Sequence, residues 1–200
     1  GHTPPDATTP AATLEKTRQF LSELKEPPET EEEQFRMTST LHALDHASRL
    51  VSAFGKLVSS GPAARTFHHP RGEALCKQAV GAMHAIAESI TSESALTQQA
   101  QPIGWTVSPE IGTALAELEQ AAKDIDVVQR DQRTAILASV APGQLNASEA
   151  FARIDAARRL NRLVHHAWRA AVHLLGQEGQ GAGANQPDAI PAVLRDEEPD

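Results

Sequence analysis

Three side chains that can bind a metal ion or transfer a proton lie within five residues of one predicted helix. They are His42, Asp45 and His46, in the sequence Leu-His-Ala-Leu-Asp-His at residues 41–46. His42 and His46 are four residues apart and therefore share one helix face, a spacing that can chelate a transition metal. His165 becomes a fourth candidate ligand if the first and last long helices pack together. We expect no cofactor beyond such a metal, which would be Zn, Fe or Ni.

A second group of polar side chains forms a basic stripe on the last predicted helix. Its members recur at steps of four and three residues: Arg158, Arg162, His166, Arg169 and His173. Acidic residues recur every seven positions on the preceding helix: Glu110, Glu117, Asp124 and Asp131. If the helices fold back on each other, Asp131 lies opposite Arg158, and Glu117 lies opposite Arg169. We expect interhelical ion pairs, each contributing about 0.2–1 kcal/mol. The alternative is that the basic stripe contacts an anion, such as phosphate, or a partner.

The histidines and Asp45 also have a structural interpretation. Helical histidines are common in polar layers within a bundle, where they form hydrogen bonds. Asp45 and His46 would then form ion pairs across the bundle with Arg158 or Arg162, and this is the role we expect. The chain has no glycine-rich phosphate loop, nucleophile elbow or paired Glu-x-x-His motif. We therefore expect no enzymatic activity.

The elements that position these residues are all predicted to be helices. Hydrophobic residues make up 40% of the 200 residues, aromatic residues 4%, and there is no tyrosine. No segment shows the alternation of a strand, whereas apolar residues recur at three- and four-residue steps. The residues expected to face inward include Phe35 and Leu41 on the second predicted helix, Leu75, Ala79, Ala82 and Ile86 on the third, and Phe151 and Ile154 on the last. The single Cys76 excludes an internal disulfide and is interpreted as a small core residue. The fold class is therefore all-α.

Local signals place the ends of these helices. A short helix is predicted over residues 11–25, and long helices over 30–60, 72–97, 109–140 and 147–175. Thr30 with Glu33, and Asn146 with Glu149, form capping boxes, and Ser108 precedes a proline at the first helical position. Four long helices with short connections predict an antiparallel bundle. The domain prediction is a linker at 1–10, the bundle at 11–177 and a disordered acidic tail at 178–200.

The net charge and the lengths of the apolar runs limit which partners and locations the sequence predicts. The net charge is −8, which argues against nucleic acid as a partner. No apolar run reaches the roughly 20 residues of a membrane span, and no secretory signal is present. The chain begins Gly-His rather than Met, and we expect it to be a fragment of a longer protein.

Three segments resemble the PhoU-like domain that follows the transmembrane part of bacterial sodium/phosphate cotransporter-family proteins. They read Leu-Glu-Lys-Thr-Arg-Gln-Phe-Leu at residues 14–21, Leu-His-Ala-Leu-Asp-His at 41–46, and Ala-Arg-Arg-Leu-Asn-Arg-Leu-Val-His-His-Ala-Trp-Arg at 157–169. The resemblance implies a PhoU-like cytoplasmic domain with a regulatory role in phosphate transport. Its implied location is the inner face of the cell membrane. Its implied partner is the transmembrane transporter portion of the same polypeptide, with a homodimer as a further assembly.

Free-standing PhoU proteins, which this family also resembles, bind metal through a carboxylate followed four residues later by Asp and then His. Here the first motif begins at Leu41 and ends at Asp45 and His46. The second motif begins at Asn161 and ends with two histidines, so that Asp45 is the acidic ligand that remains. The alternative function implied by this resemblance is a free-standing, metal-binding regulator of phosphate transport or signalling.

Overall fold

The structure, a computed structural model, describes residues 8–24, 27–59, 70–96 and 108–176. These residues form five helices and no strand, which confirms the all-α prediction. The helices are α1 (Thr8–Glu23), α2 (Glu31–Ser59), α3 (Pro70–Leu96), α4 (Pro109–Val140) and α5 (Ala147–Leu174). Helix α1 begins inside the predicted linker 1–10, and the predicted acidic tail 178–200 lies outside the described residues.

The capping box that was predicted at the start of α2 is present. The Glu33 backbone N–H donates to Thr30 Oγ1 at 3.1 Å, and the Thr30 backbone N–H donates to Glu33 Oε2 at 3.2 Å. The backbone N–H of Glu29 donates to the same carboxylate at 2.9 Å. These bonds from the backbone lower the pKa of Glu33. They fix the start of α2, and with it the positions of the histidines on this helix.

The predicted N-caps of α4 and α5 are also present. Ser108 Oγ accepts a hydrogen bond from the Ile111 backbone N–H at 3.3 Å. Asn146 Oδ1 accepts one from the Glu149 backbone N–H at 2.8 Å. The Glu149 carboxylate accepts a 2.6 Å bond from Arg153. Both helices therefore begin where their capping residues indicate.

Helices α3, α4 and α5 supply the main apolar core. The inward face predicted for α3 is buried along its length: Leu75, Ala79, Ala82 and Ile86. It packs with apolar side chains of α4, such as the fully buried Leu118, and with Val164 and Val172 of α5. The described part of α2 contributes no residue to this cluster. No described helix is both long enough and apolar enough to cross a membrane.

The helices pack in an order that leaves a gap. Helix α5 lies against both α2 and α4, α3 lies against α4, and α1 lies against α2. Helices α4 and α5 run in opposite directions about a turn in which Gly143 has a φ of 75°. Among the described residues, α2 and α3 do not pack on each other. Instead, an apolar cavity of about 380 Å³ lies between side chains of α2 and α3, with α1, α4 and α5 completing its walls.

The face that α2 buries differs from the predicted one. Phe35 and Leu41 were expected to face inward, yet they are 45% and 49% exposed. The buried residues of this helix are Ser39, Ala43 and His46. The buried His46 and the neighbouring His42 each stack on His173 of α5, so that imidazole rings occupy part of the space between the two helices. The apolar periodicity of α2 therefore indicated a helix correctly but not its rotation.

The start of α5 is a second place where the expected burial is wrong. Phe151 was predicted to be buried, but it is 66% exposed. The helix instead buries Ala150 and Ile154, which pack with Ile136 and Leu145 beside the turn between α4 and α5. A small alanine allows α5 to lie close to α4 here, and the adjacent phenylalanine is therefore turned outward.

Candidate functional site

The two segments that carry the candidate metal ligands and the basic stripe meet at the interface between α2 and α5. Nδ1 of His46 lies 3.1 Å from Nδ1 of His166, which is 120 positions away in sequence. One turn earlier on α2, the ring of His42 stacks on that of His173, with 4.9 Å between centroids. The residue numbers of the contacting histidines decrease on α5 as those on α2 increase. The two helices therefore run in opposite directions here.

Five imidazole rings are linked by ring contacts at this interface, and we call them the histidine cluster: His42, His46, His165, His166 and His173. The ring of His173 also stacks on that of His46, at 5.3 Å and an interplanar angle of 13°. His165 meets His46 and His166 edge-on, at 6.3 and 5.6 Å. His173 is 2% exposed, and solvent does not reach its ring nitrogens. The cluster therefore extends from the exposed His42 to a fully buried ring.

The contact between His46 and His166 restricts where protons can lie. Each imidazole nitrogen is either a donor or an acceptor, so a hydrogen bond between two Nδ1 atoms needs one protonated and one bare nitrogen. If both rings were cations, two N–H groups would point at each other across 3.1 Å. Burial, followed by the charges of His165, His46 and Arg49, lowers the pKa of His166 to about 4. His166 is therefore neutral at pH 7.

Asp45 does not form the ion pair across the bundle that we expected from the sequence. Its carboxylate accepts a bond from Arg49 Nε at 2.9 Å, one turn further along α2, and both side chains are about half exposed. Arg158, one of the expected partners, lies 4.0 Å from Asp155 on its own helix. No described group lies within hydrogen-bonding distance of the buried Nε of Arg162, the other expected partner. The predicted pairing of Asp45 with these arginines is wrong because Asp45 lies at the edge of the interface.

The basic stripe of α5 faces α2 more than α4. His166 and His173 contact histidines of α2, as described above. The guanidinium carbon of Arg169 lies 5.6 Å from the centroid of the Trp168 ring, a cation–π distance. The predicted ion pairs of this stripe with Asp131 and Glu117 are wrong, because both carboxylates are exposed and the described structure gives them no ion pair. Helix α5 is rotated so that another face meets α4.

That other face carries a buried polar contact that the sequence analysis missed. Asn161 Nδ2 donates to Gln129 Oε1 at 2.7 Å and to Asp126 Oδ1 at 3.3 Å. Asn161 and Gln129 are 7% and 8% exposed. The available signal was an amide at helical spacing from the apolar residues Ala157 and Val164, because a buried amide needs partners. The contact fixes the register of α4 on α5.

The candidate metal ligands His42, Asp45, His46 and His165 are brought close, but not around one point. Within the described ranges, no group of three or more His, Cys, Asp or Glu side chains is arranged to hold a metal ion. The rings of His42 and His46 each stack on His173, so they present their faces to that ring and not their nitrogen lone pairs. The two Nδ1 atoms of His46 and His166 converge, and they supply at most two ligands.

Comparisons of the chain with protein-family models, with curated proteins and with solved structures find no match. The resemblance to the PhoU-like domain therefore stays a prediction that rests on the three segments quoted above.

Proposed function

We propose that this chain is a non-enzymatic regulatory module that acts through protein–protein contacts. In this proposal it is a PhoU-like, antiparallel bundle of four long helices with a short first helix. It belongs to a sodium-dependent phosphate transporter-like membrane protein and acts at the cytoplasmic face of the membrane. The observation that supports it best is that two of the PhoU-like segments, residues 41–46 and 157–169, form one interface although they are distant in sequence.

The surroundings of the histidine cluster favour binding over catalysis. The charged or titratable groups that affect His166 are His165, His46, Arg49 and Asp45. Cys76 lies on α3, and burial together with the nearby Glu73 raises the pKa of its thiol. A protonated thiol is a poor nucleophile. The cluster therefore has the character of a packed polar layer that joins two helices.

The outer faces of α1 and α2 suit contact with another protein. Phe20 and Leu24 at the end of α1 are 62% and 50% exposed. Phe35 and Leu41 on α2 are also exposed, as noted above. Exposed large apolar side chains of this kind are typical of protein–protein interaction surfaces. We propose that this surface meets the transmembrane transporter portion of the polypeptide.

Site-specific photo-crosslinking in the source cells tests this proposal. A photoreactive residue replaces Leu41, and the matched control replaces Val80, which is 62% exposed on α3. Cross-linked peptides from a membrane-embedded phosphate transporter are expected at position 41 and not at position 80. Uptake of radiolabelled phosphate should change in Leu41→Glu cells but not in Val80→Glu cells. Capture of soluble proteins alone, with equal uptake in both variants, would refute the proposal.

One observation favours a second candidate, the free-standing metal-binding regulator. Two nitrogen ligands on a tetrahedral metal with bonds of about 2.0–2.1 Å lie roughly 3.3 Å apart. The two Nδ1 atoms of His46 and His166 are 3.1 Å apart, close to that separation. Elemental analysis of untagged protein tests this candidate, with His46→Ala as the variant and His84→Ala as the control on α3. Stoichiometric Zn, Fe or Ni that is lost in His46→Ala alone would support it, whereas a folded, metal-free wild type would exclude it.

A further inference from the structure

The cavity between α2 and α3 has the chemistry of a binding site for a hydrocarbon chain. Sixteen residues line it, and fourteen of them are Ala, Leu, Ile or Met. The other two, Thr17 and Thr40, use their hydroxyl groups elsewhere. Thr17 Oγ1 donates to the Thr13 carbonyl at 3.0 Å, and Thr40 Oγ1 donates to the Arg36 carbonyl at 2.8 Å. The wall therefore offers a ligand only apolar contact.

The cavity also extends along α2. Its lining residues on this helix run from Thr40 to Leu50, which corresponds to about 15 Å at 1.5 Å per residue. An extended alkyl chain fits within this length and within a volume of about 380 Å³. Pockets of this volume commonly hold small molecules.

A positively charged side chain, that of Arg18, lies at the edge of the cavity. Arg18 follows the lining residue Thr17 on α1, and Ser48 follows the lining residue Ala47 on α2. The Arg18 guanidinium donates to Ser48 Oγ at 2.8 Å, so that it is held between the two helices beside the cavity. Arg18 is exposed, and no described carboxylate forms an ion pair with it. Its positive charge is therefore available to an anionic group at the rim.

From the apolar wall, the extent of the cavity along α2 and the cation at the rim, we infer that the cavity binds a single-chain anionic amphiphile, of the class of the long-chain fatty acids. The alkyl chain lies between α2 and α3, where the two helices do not pack on each other. The carboxylate lies at the rim and accepts hydrogen bonds from the Arg18 guanidinium. This inference is independent of the proposed transporter partner, because it rests on the cavity and its rim alone.

The test is a calorimetric titration of the whole 200-residue chain with dodecanoate and, separately, with dodecanol. One variant, Ala47→Phe, fills the cavity, and its control Ala53→Phe adds the same ring to α2 outside the lining. A second variant, Arg18→Gln, removes the rim charge, and its control Lys16→Gln removes a charge from an exposed position of the same helix. Circular dichroism checks that each variant is folded. Arg18→Gln alters an exposed side chain, so the test remains decisive if Ala47→Phe does not fold.

We expect wild type and both control variants to bind one dodecanoate per chain. Ala47→Phe should lose this binding, and Arg18→Gln should bind dodecanoate about three- to fivefold more weakly, as suits an exposed charge pair. The affinity for dodecanol should not change in Arg18→Gln. Absence of dodecanoate binding to wild type, or equal affinity in Ala47→Phe, would overturn the inference. Equal affinities of wild type for dodecanoate and dodecanol would also overturn it. A dimer that Ala47→Phe dissociates would overturn it as well, because a second copy of the chain would then close the cavity.

Discussion

Replacement of His166 by glutamine should reduce the acid sensitivity of this fold. The pKa of His166 is lowered from 6.5 to about 4, with burial as the largest cause. Folding therefore favours its neutral form. Above about pH 6.5 this contribution is constant, and as the pH falls towards 4 the unfolded chain takes up a proton that the folded chain does not. The free energy of unfolding must consequently fall across that window.

The size of the effect follows from the two pKa values. Between pH 7 and pH 5, proton linkage gives a loss of about 1.8 kcal/mol for a shift of this size. Solvent screening at a partly exposed ring reduces it, and we expect about 1 kcal/mol. The groups that face His166 are His46, Arg49 and Asp45 on α2 and His165 on its own helix. Most carboxylates stay ionised down to pH 5, so that this window isolates the histidines.

Urea denaturation followed by circular dichroism, at pH 7 and at pH 5, measures this loss. Glutamine cannot be protonated and still offers a hydrogen-bonding group to Nδ1 of His46. The matched control is His84→Gln, because the His84 side chain is 74% exposed on α3. The loss of stability from pH 7 to pH 5 should be about 1 kcal/mol smaller in His166→Gln than in His84→Gln. Equal losses in the two variants would refute the reasoning.

Three further predictions concern the fold, and each is measured by denaturation at pH 7. Asn161→Leu should cost about 1–3 kcal/mol, because Gln129 Oε1 then loses a partner while buried; no loss would mean that this amide pair is dispensable. Leu118→Ala should cost about 2–5 kcal/mol because Leu118 is fully buried, whereas Phe151→Ala should change stability by less than about 0.5 kcal/mol; similar costs would contradict the assigned burial. Ser108→Ala should cost about 0.5–2 kcal/mol through loss of the α4 N-cap, and an unchanged stability would contradict that cap.

Local features of this chain could be predicted from sequence because their causes are local. Thr30 with Glu33, Ser108 and Asn146 each bond to a backbone group three residues away, so a short segment specifies them. The inward face of α3 was also correct, because its neighbours in the core are apolar. The turn after α5 likewise ends at Gly176, whose φ is 62°.

The rotation of each helix about its axis could not be predicted in the same way. The predictions that Leu41 and Phe151 are buried were wrong. The buried residue near Leu41 is Ala43, two positions away, and the one near Phe151 is Ala150, one position away. One position corresponds to about 100° of rotation, so a small error moves a side chain from the interface to solvent. The ion pairs of α5 with α4 failed for the same reason. The contact of His46 with His166 also depends on both rotations, and the sequence analysis did not specify it.

The absence of α2 from the main apolar cluster has a consequence for how this protein unfolds. Its buried residues, Ser39, Ala43 and His46, lie outside that cluster, and α1 packs on α2 alone among the described helices. Exposing this surface costs less hydrophobic free energy than breaking the core of α3, α4 and α5. Helices α1 and α2 should therefore open together as one cooperative unit while the other three stay folded. In amide hydrogen exchange, α2 would exchange faster than α4, and acidification would widen that difference as the cluster takes up protons.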